Sequence, residues 1–200
     1  MSETRQLAAI MFTDIQGYTA MMQHDEELAI KIRDRHRQVF NKTTETYNGT
    51  ILQYFGDGTL STFKSAIDAV KCAMEMQKKF QKDPIVPVRI GIHLGDVLVR
   101  ENEIIGDGVN VASRIESLAV PGSVFISDKV YDEIKNQTSI ETQSLKTFEL
   151  KNVDKPIEVF AISNKGLIIP NASEITGKLK DTKPDPNKTL EKKTSKTAEE

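Results

Sequence analysis

The segment Phe12-Thr13-Asp14-Ile15-Gln16-Gly17-Tyr18-Thr19 sets the tightest limit on how this chain can fold. It continues a short apolar run, Leu7 to Phe12, with the length and composition of a buried strand; Asp14 therefore falls at or just past a strand end, and Gly17 lets the backbone turn into a helix. A carboxylate placed there faces a cleft or a ligand. A second acid sits in Phe55-Gly56-Asp57-Gly58, a tight turn between the alternating segments Thr50 to Tyr54 and Thr59 to Phe63, which is a hairpin signal. If that hairpin lies beside the first strand, the two carboxylates meet. Such a pair suits Mg²⁺, which takes oxygen ligands and is held by one or two carboxylates plus the phosphates of a nucleotide. A single Asp beside a Gly is more often only a turn residue, so the weight comes from the motifs that follow.

Those motifs are Val88-Arg89-Ile90-Gly91-Ile92-His93-Leu94-Gly95-Asp96-Val97 and Gly106-Asp107-Gly108-Val109-Asn110-Val111-Ala112-Ser113-Arg114-Ile115. In this order and at these distances, the four segments resemble the catalytic domain of class III nucleotidyl cyclases, the adenylyl and guanylyl cyclases, from about Leu7 to Ile162. The resemblance implies that Asp14 and Asp57 carry two divalent ions, Mg²⁺ or Mn²⁺, with the Ile15 carbonyl as a further ligand and the amides of Gln16, Gly17 and Tyr18 near the phosphates. It also implies that Arg89 and Lys151 pair with triphosphate oxygens, that Asn110 fixes the ribose, and that Arg114 stabilises charge growing on the α-phosphate. Asn110 and Arg114 are four residues apart, so a helix puts them on one face. In this family the metal acids and the Asn/Arg pair come from opposite subunits, which implies a homodimer with two equivalent sites and an inactive monomer.

Base recognition departs from the family pattern. Adenylyl cyclases usually carry a lysine where this chain has Gln53 and an aspartate, or sometimes a threonine, where it has Glu103; guanylyl cyclases typically place Glu and Cys there. Glu103 can accept from the exocyclic amine of adenine, and the Gln53 amide can donate to adenine N1. The same amide, flipped, can accept from guanine. ATP is the favoured substrate and GTP the alternative; a cyclase-like module that senses nucleotide without turnover is the competing class.

Along the chain, helix formers fill residues 18 to 47, with a break expected near His24, and a clearer helix begins near Ser65 and ends before Asp83-Pro84. Val86 to His93 reads as a buried strand, Leu94-Gly95-Asp96 as a turn, and Val97 to Arg100 as the returning strand. A helix over Gly106 to Leu118, a strand over Val124 to Ile126, a short helix over Asp128 to Ile134 capped by Ser127, and a last hairpin, Ser144 to Leu150 with Ile157 to Ile162, complete the pattern. This mixed order predicts an α+β fold, and the resemblance adds a ferredoxin-like core sheet with helices on one face. Residues 1–164 are expected to form the catalytic domain. From residue 165 to 200, Lys, Thr, Asp, Glu and Pro dominate, which reads as a disordered tail or linker.

With a formal net charge of -2, neither a nucleic-acid nor an anionic-membrane partner is indicated, and the strands offer no paired stacking aromatics for RNA. No apolar run reaches the roughly 18 to 20 residues that span a bilayer, so direct membrane insertion is not expected and cytoplasmic residence follows by default. The single cysteine, Cys72, lies in an apolar helical pattern and reads as a buried, inert thiol in a reducing compartment.

Overall fold

A computed structural model describes residues 4–100, 103–177 and 179. Its backbone is one eight-stranded sheet in the order β2 (Thr50–Phe55), β3 (Gly58–Phe63), β1 (Thr4–Ile15), β4 (Val88–Arg100), β6 (Val124–Ser127), β8 (Ile157–Ile162) and β7 (Thr142–Phe148), with β5 (Glu103–Ile105) paired to β4. The axis is the antiparallel pair β1 (Thr4–Ile15) and β4 (Val88–Arg100), matched without a slip from Thr4↔Val99 to Ile15↔Val88. The hairpin of β2 (Thr50–Phe55) and β3 (Gly58–Phe63) lies against the other edge of β1, with Asp14 opposite Gly58. On the far side, β6 (Val124–Ser127) runs parallel to β4, followed by the antiparallel pair β8 (Ile157–Ile162) and β7 (Thr142–Phe148).

Helix formation follows local chemistry. The break near His24 falls at Asp25, whose extended backbone separates α1 (Tyr18–His24) from α2 (Glu26–Thr46) and whose side chain caps α2 by accepting from the Leu28 amide at 2.9 Å. Ser65 caps α3 (Ala66–Phe80) through the Asp68 amide at 3.2 Å, and Ser127 caps α5 (Asp128–Ile134). α2, α3 and α5 bury Phe40, Met76, Phe80, Val130 and Ile134 on one face of the sheet, against Met11, Ile15, Ile90 and Ile126. Cys72 belongs to this cluster, and burial pushes its thiol up to about 12.

Two expectations are corrected. First, α4 (Asp107–Leu118) lies on the opposite sheet face from the other three, over Ala8, Ile10 and Phe125, so the α+β class stands but helices cover both faces. Second, Leu94-Gly95-Asp96 is not a turn: β4 continues to Arg100, because β1 offers a pairing partner along its whole length. The return strand is instead β5 (Glu103–Ile105). Gly95 serves close packing, since a Cβ there would lie 3.1 Å from the Gly108 Cα at the start of α4. Packing also continues past residue 164. The Ile168 amide donates to the Gly122 carbonyl at 3.1 Å, Ile175 is buried with Leu118 and Leu150, and Leu179 bridges to Leu150. Ile168, Ile169, Ile175 and Leu179 give this stretch an apolar content that the polar composition of the tail as a whole conceals. Residues 178 and 180–200 lie outside the described residues.

Truncation at residue 164 is therefore expected to destabilise the domain by about 3 kcal/mol or more, the value of burying one or two large apolar side chains. Urea unfolding of residues 1–164 against residues 1–180 measures it.

Two buried histidines make stability pH-dependent. His36, on α2, stacks between Phe40 and Phe80 and lies 3.0 Å from the Thr13 hydroxyl. Burial first, then Arg37, lowers it to about 4. His93, 2.8 Å from Ser127 Oγ, is lowered to about 4 by burial and then by Lys129. Between the usual value of about 6.5 and about 4, the unfolded chain binds protons that the folded one refuses, so stability falls as pH drops through that window. The loss amounts to a few kcal/mol per histidine, on the order of 1.4 kcal/mol per pH unit each. Urea titrations at pH 7 and pH 4.5 should show it, and His36→Gln should flatten the slope.

Candidate active site

The β1 end and the β2–β3 hairpin tip are joined by backbone. Gly56 takes a positive φ of 55° and Asp57 does not, the sign pattern of a two-residue II′ hairpin turn. The Ile15 amide donates to the Asp57 carbonyl at 3.2 Å, fastening the tip to the strand end. Gly58 has room for no side chain: a Cβ would meet the Thr13 carbonyl at 2.8 Å and Asp14 Oδ1 at 3.6 Å. Asp14 and Asp57 are thus held side by side by the sheet rather than by side-chain contacts.

Their electrostatics follow from that closeness. The Asp57 carboxyl is raised above its ordinary range, first by partial burial and then by the charge of Asp14, while its own backbone hydrogen bond and Arg89 act in the opposite direction. Arg89 stands directly across the ladder from Asp14 and donates from Nη2 to Asp14 Oδ2 at 2.5 Å. Its Nε lies 3.1 Å from Glu116 Oε1 on α4. Two acids side by side, together with a strand-end carbonyl at Ile15, form an all-oxygen donor set. Such a set fits Mg²⁺ or Mn²⁺, which would take its remaining ligands from water and phosphate. Among the described residues no group of three or more His, Cys, Asp and Glu side chains is gathered for a metal, so softer, thiolate- or imidazole-rich sites are not offered.

The remaining predicted residues fall in three places. Asn110 is exposed on α4, and Arg114, one turn further, donates from Nε to the Lys151 carbonyl at 3.1 Å, so these three gather beside the β7–β8 loop. On β2, Gln53 is exposed and opposite Leu60, which puts it on the Asp14 face of the sheet. Glu103 has its backbone in β5, but its side chain lies outside the described residues. Their neighbours Leu52 and Ile104 pack against one apolar cluster, so the two backbones approach the same region. The Gln16 amide donates to the Pro87 carbonyl at 2.8 Å, prolonging the β1–β4 ladder. Gly17, with φ 77°, starts α1, and Tyr18 is its first residue.

Within one chain, no hydrogen bond or ion pair joins the Asn110/Arg114/Lys151 group to the Asp14/Asp57/Arg89 group among the described residues. Helix geometry explains this. At about 100° per residue, Arg114 and Glu116 point roughly 200° apart around α4, and Glu116 is the one turned to Arg89. Sequence reasoning missed Glu116, because an acid two residues past a motif carries no signal until the helix is docked.

This architecture, a sheet with a paired-carboxylate hairpin beside its central strand and a helix bearing Asn and Arg on the facing side, is that of the nucleotidyl cyclases. A solved structure described as an adenylate/guanylate cyclase/hydrolase from Silicibacter pomeroyi superposes with a TM-score of 0.75 and 30% identity, over 82% of this chain and 100% of the other. The adenylyl cyclase CyaB from P. aeruginosa shares the fold, with a TM-score of 0.74 at 24% identity, covering 84% of this chain and all of that one.

Residues 1–164 match the Adenylate and Guanylate cyclase catalytic domain, and the chain belongs to that family. "Putative adenylate cyclase 3" of Rhizobium meliloti (strain 1021) is 35% identical over 169 residues, which is 80% of this chain and 29% of the relative. An adenylate cyclase of Anabaena cylindrica is 28% identical over 191 residues, covering 80% of this chain and 37% of its own length. The chain thus spans about a third of the length of these relatives. Among the described residues, no helix is long and apolar enough to cross a membrane.

Proposed function

We propose that this domain cyclises ATP to 3′,5′-cyclic AMP and pyrophosphate, at two sites each completed by a second copy of the chain. The observation that carries the proposal is the division of one chain into two half-sites: acids on β1 and the hairpin, an amide and a guanidinium on the opposite flank of α4. Neither half suffices alone. A twofold partner placing its α4 over the hairpin of the first copy would complete both sites at once. An apolar surface on the Asp14 face favours such a partner: Phe55, 43% exposed, stacks on Phe12 with ring centroids 6.1 Å apart, near half-buried Leu52, Val99, Ile104 and Val109.

In the reaction the 3′-oxygen attacks the α-phosphorus in line, its proton passes to solvent water, and the bond between the α-phosphorus and the α,β-bridging oxygen breaks to release pyrophosphate. Divalent ions, when bound, would lower the pKa of the 3′-hydroxyl and neutralise the triphosphate. Asp14, Asp57 and the Ile15 carbonyl would hold them. Asn110 would orient the ribose so that the two ends of one nucleotide meet, and Arg114 would stabilise charge on the α-phosphate, an interaction worth most in the transition state. Arg89 and Lys151 would bind the outer phosphates, with the Gly17 and Tyr18 amides beside them. Gln53 and Glu103 would read the base.

The assay is incubation of the full chain with Mg²⁺ or Mn²⁺ and either ATP or GTP, followed by separation of the products. Cyclic AMP in excess over cyclic GMP is the expected result. Excess cyclic GMP would reverse the base assignment of Gln53 and Glu103. Tight nucleotide binding with no cyclic product from either substrate would favour a sensing module.

A further inference from the structure

We propose that Glu116 is a positioning residue that holds Arg89 as an exchangeable counter-charge, so that Arg89 occupies Asp14 until a divalent cation displaces it. This rests on the reading of Asp14 and Asp57 as the cation site. Arg89 faces two acids at once: Nη2 donates to Asp14 Oδ2 at 2.5 Å, and Nε forms an ion pair with Glu116 Oε1 at 3.1 Å. A guanidinium bound to an acid meant for a metal competes with that metal directly, because both seek the same oxygen. Glu116 divides the attraction. It draws part of the guanidinium's charge away from Asp14 and gives Arg89 a place to remain once the cation has taken that carboxylate.

Packing makes this arrangement specific. Asp14 and Arg89 face each other across a register that is unbroken along β1 and β4. Glu116 is pressed against the same strand because Gly91 has no side chain; a Cβ there would lie 2.2 Å from the Glu116 amide nitrogen. All three backbones are therefore set by the sheet and the docked helix, and only side-chain torsions are left to exchange partners. The side chains are 26%, 23% and 11% exposed for Asp14, Arg89 and Glu116, dry enough for the pairing to matter and open enough for an ion to enter. Released from Asp14 but still beside Glu116, Arg89 would turn its free donors to a phosphate.

Mn²⁺ affinity of the full chain, measured without nucleotide by the paramagnetic signal of the free ion, tests this with effects of opposite sign. Arg89→Met, which keeps the length of the side chain and removes its charge, should bind Mn²⁺ about five- to tenfold more tightly than the parent while losing turnover. Glu116→Gln, leaving Arg89 with Asp14 as its one anionic partner in the trio, should bind Mn²⁺ severalfold more weakly. Glu116→Asp, which restores the charge on a shorter arm, should recover part of that loss and stands in if Glu116→Gln does not fold. A merely structural role for either residue would weaken binding in both variants. Unchanged or weakened Mn²⁺ binding in folded Arg89→Met would overturn the proposal. Failure of the underlying reading is separately visible: Asp57→Asn should abolish Mn²⁺ binding, and if it does not, the cation site itself is misplaced.

Discussion

Asp57→Asn alone should lose turnover by roughly 10² to 10³-fold, and mixing it with Arg114→Ala should bring back about a quarter of the parent activity. Asparagine preserves the size of the side chain and the hairpin turn but removes the charge that a divalent ion needs, so the expected loss is several kcal/mol of transition-state stabilisation. Recovery follows from counting. Free exchange at equal concentration makes about half the dimers mixed, and each mixed dimer has one site with both lesions and one with neither. Because Glu116 faces Arg89 while Asn110 and Arg114 occupy the other flank of α4, both lesions cannot be escaped within a single copy. The measurement is product formation against mixing ratio, with subunit exchange verified independently. Persistent inactivity despite exchange would place Asp57 and Arg114 in one chain's site and contradict the proposed division.

The second large effect is on stability. Gly91→Ala is expected to destabilise the fold by about 3 kcal/mol, a shift of the thermal midpoint by roughly 6 to 12 °C for a chain of this size. A methyl group at Gly91 would stand 2.2 Å from the Glu116 amide nitrogen and 2.5 Å from its Cα, which is backbone and cannot rotate away. The helix would have to lift from β4. That movement would separate Glu116 from Arg89 and shift Arg114 on Lys151, so activity should fall further than stability alone accounts for. Thermal melts and turnover on the same sample check both. A variant as stable as the parent would mean that α4 rests on β4 less closely than these distances state.

Much of this was legible in the chain because it depends on neighbours in sequence. Ser65 and Ser127 announce helix starts by capping chemistry, and Gly56-Asp57 announces a hairpin by the conformations its residues tolerate. Other features were misread for a physical reason. Gly95-Asp96 has the composition of a turn, yet an extended strand accepts glycine equally well when a partner strand is present and a helix needs the space. The packing of Ile169, Ile175 and Leu179 was also hidden from the sequence, because an average over the 36 positions from 165 to 200 conceals a few apolar residues.

The residues themselves determined that one acid would fall at a strand end and another at a hairpin tip, and that Asn110 and Arg114 would share a helix face, since propensity and periodicity are local; the cyclase chemistry came from the resemblance of four motifs to that family. Only the tertiary structure decided that α4 lies alone on its sheet face, that Gly91 brings Glu116 to Arg89, and that Arg89 spans two acids 27 residues away on one side and 75 on the other. Those outcomes depend on close approach between distant segments, which is set by how the whole core packs and is encoded in no single stretch of the chain.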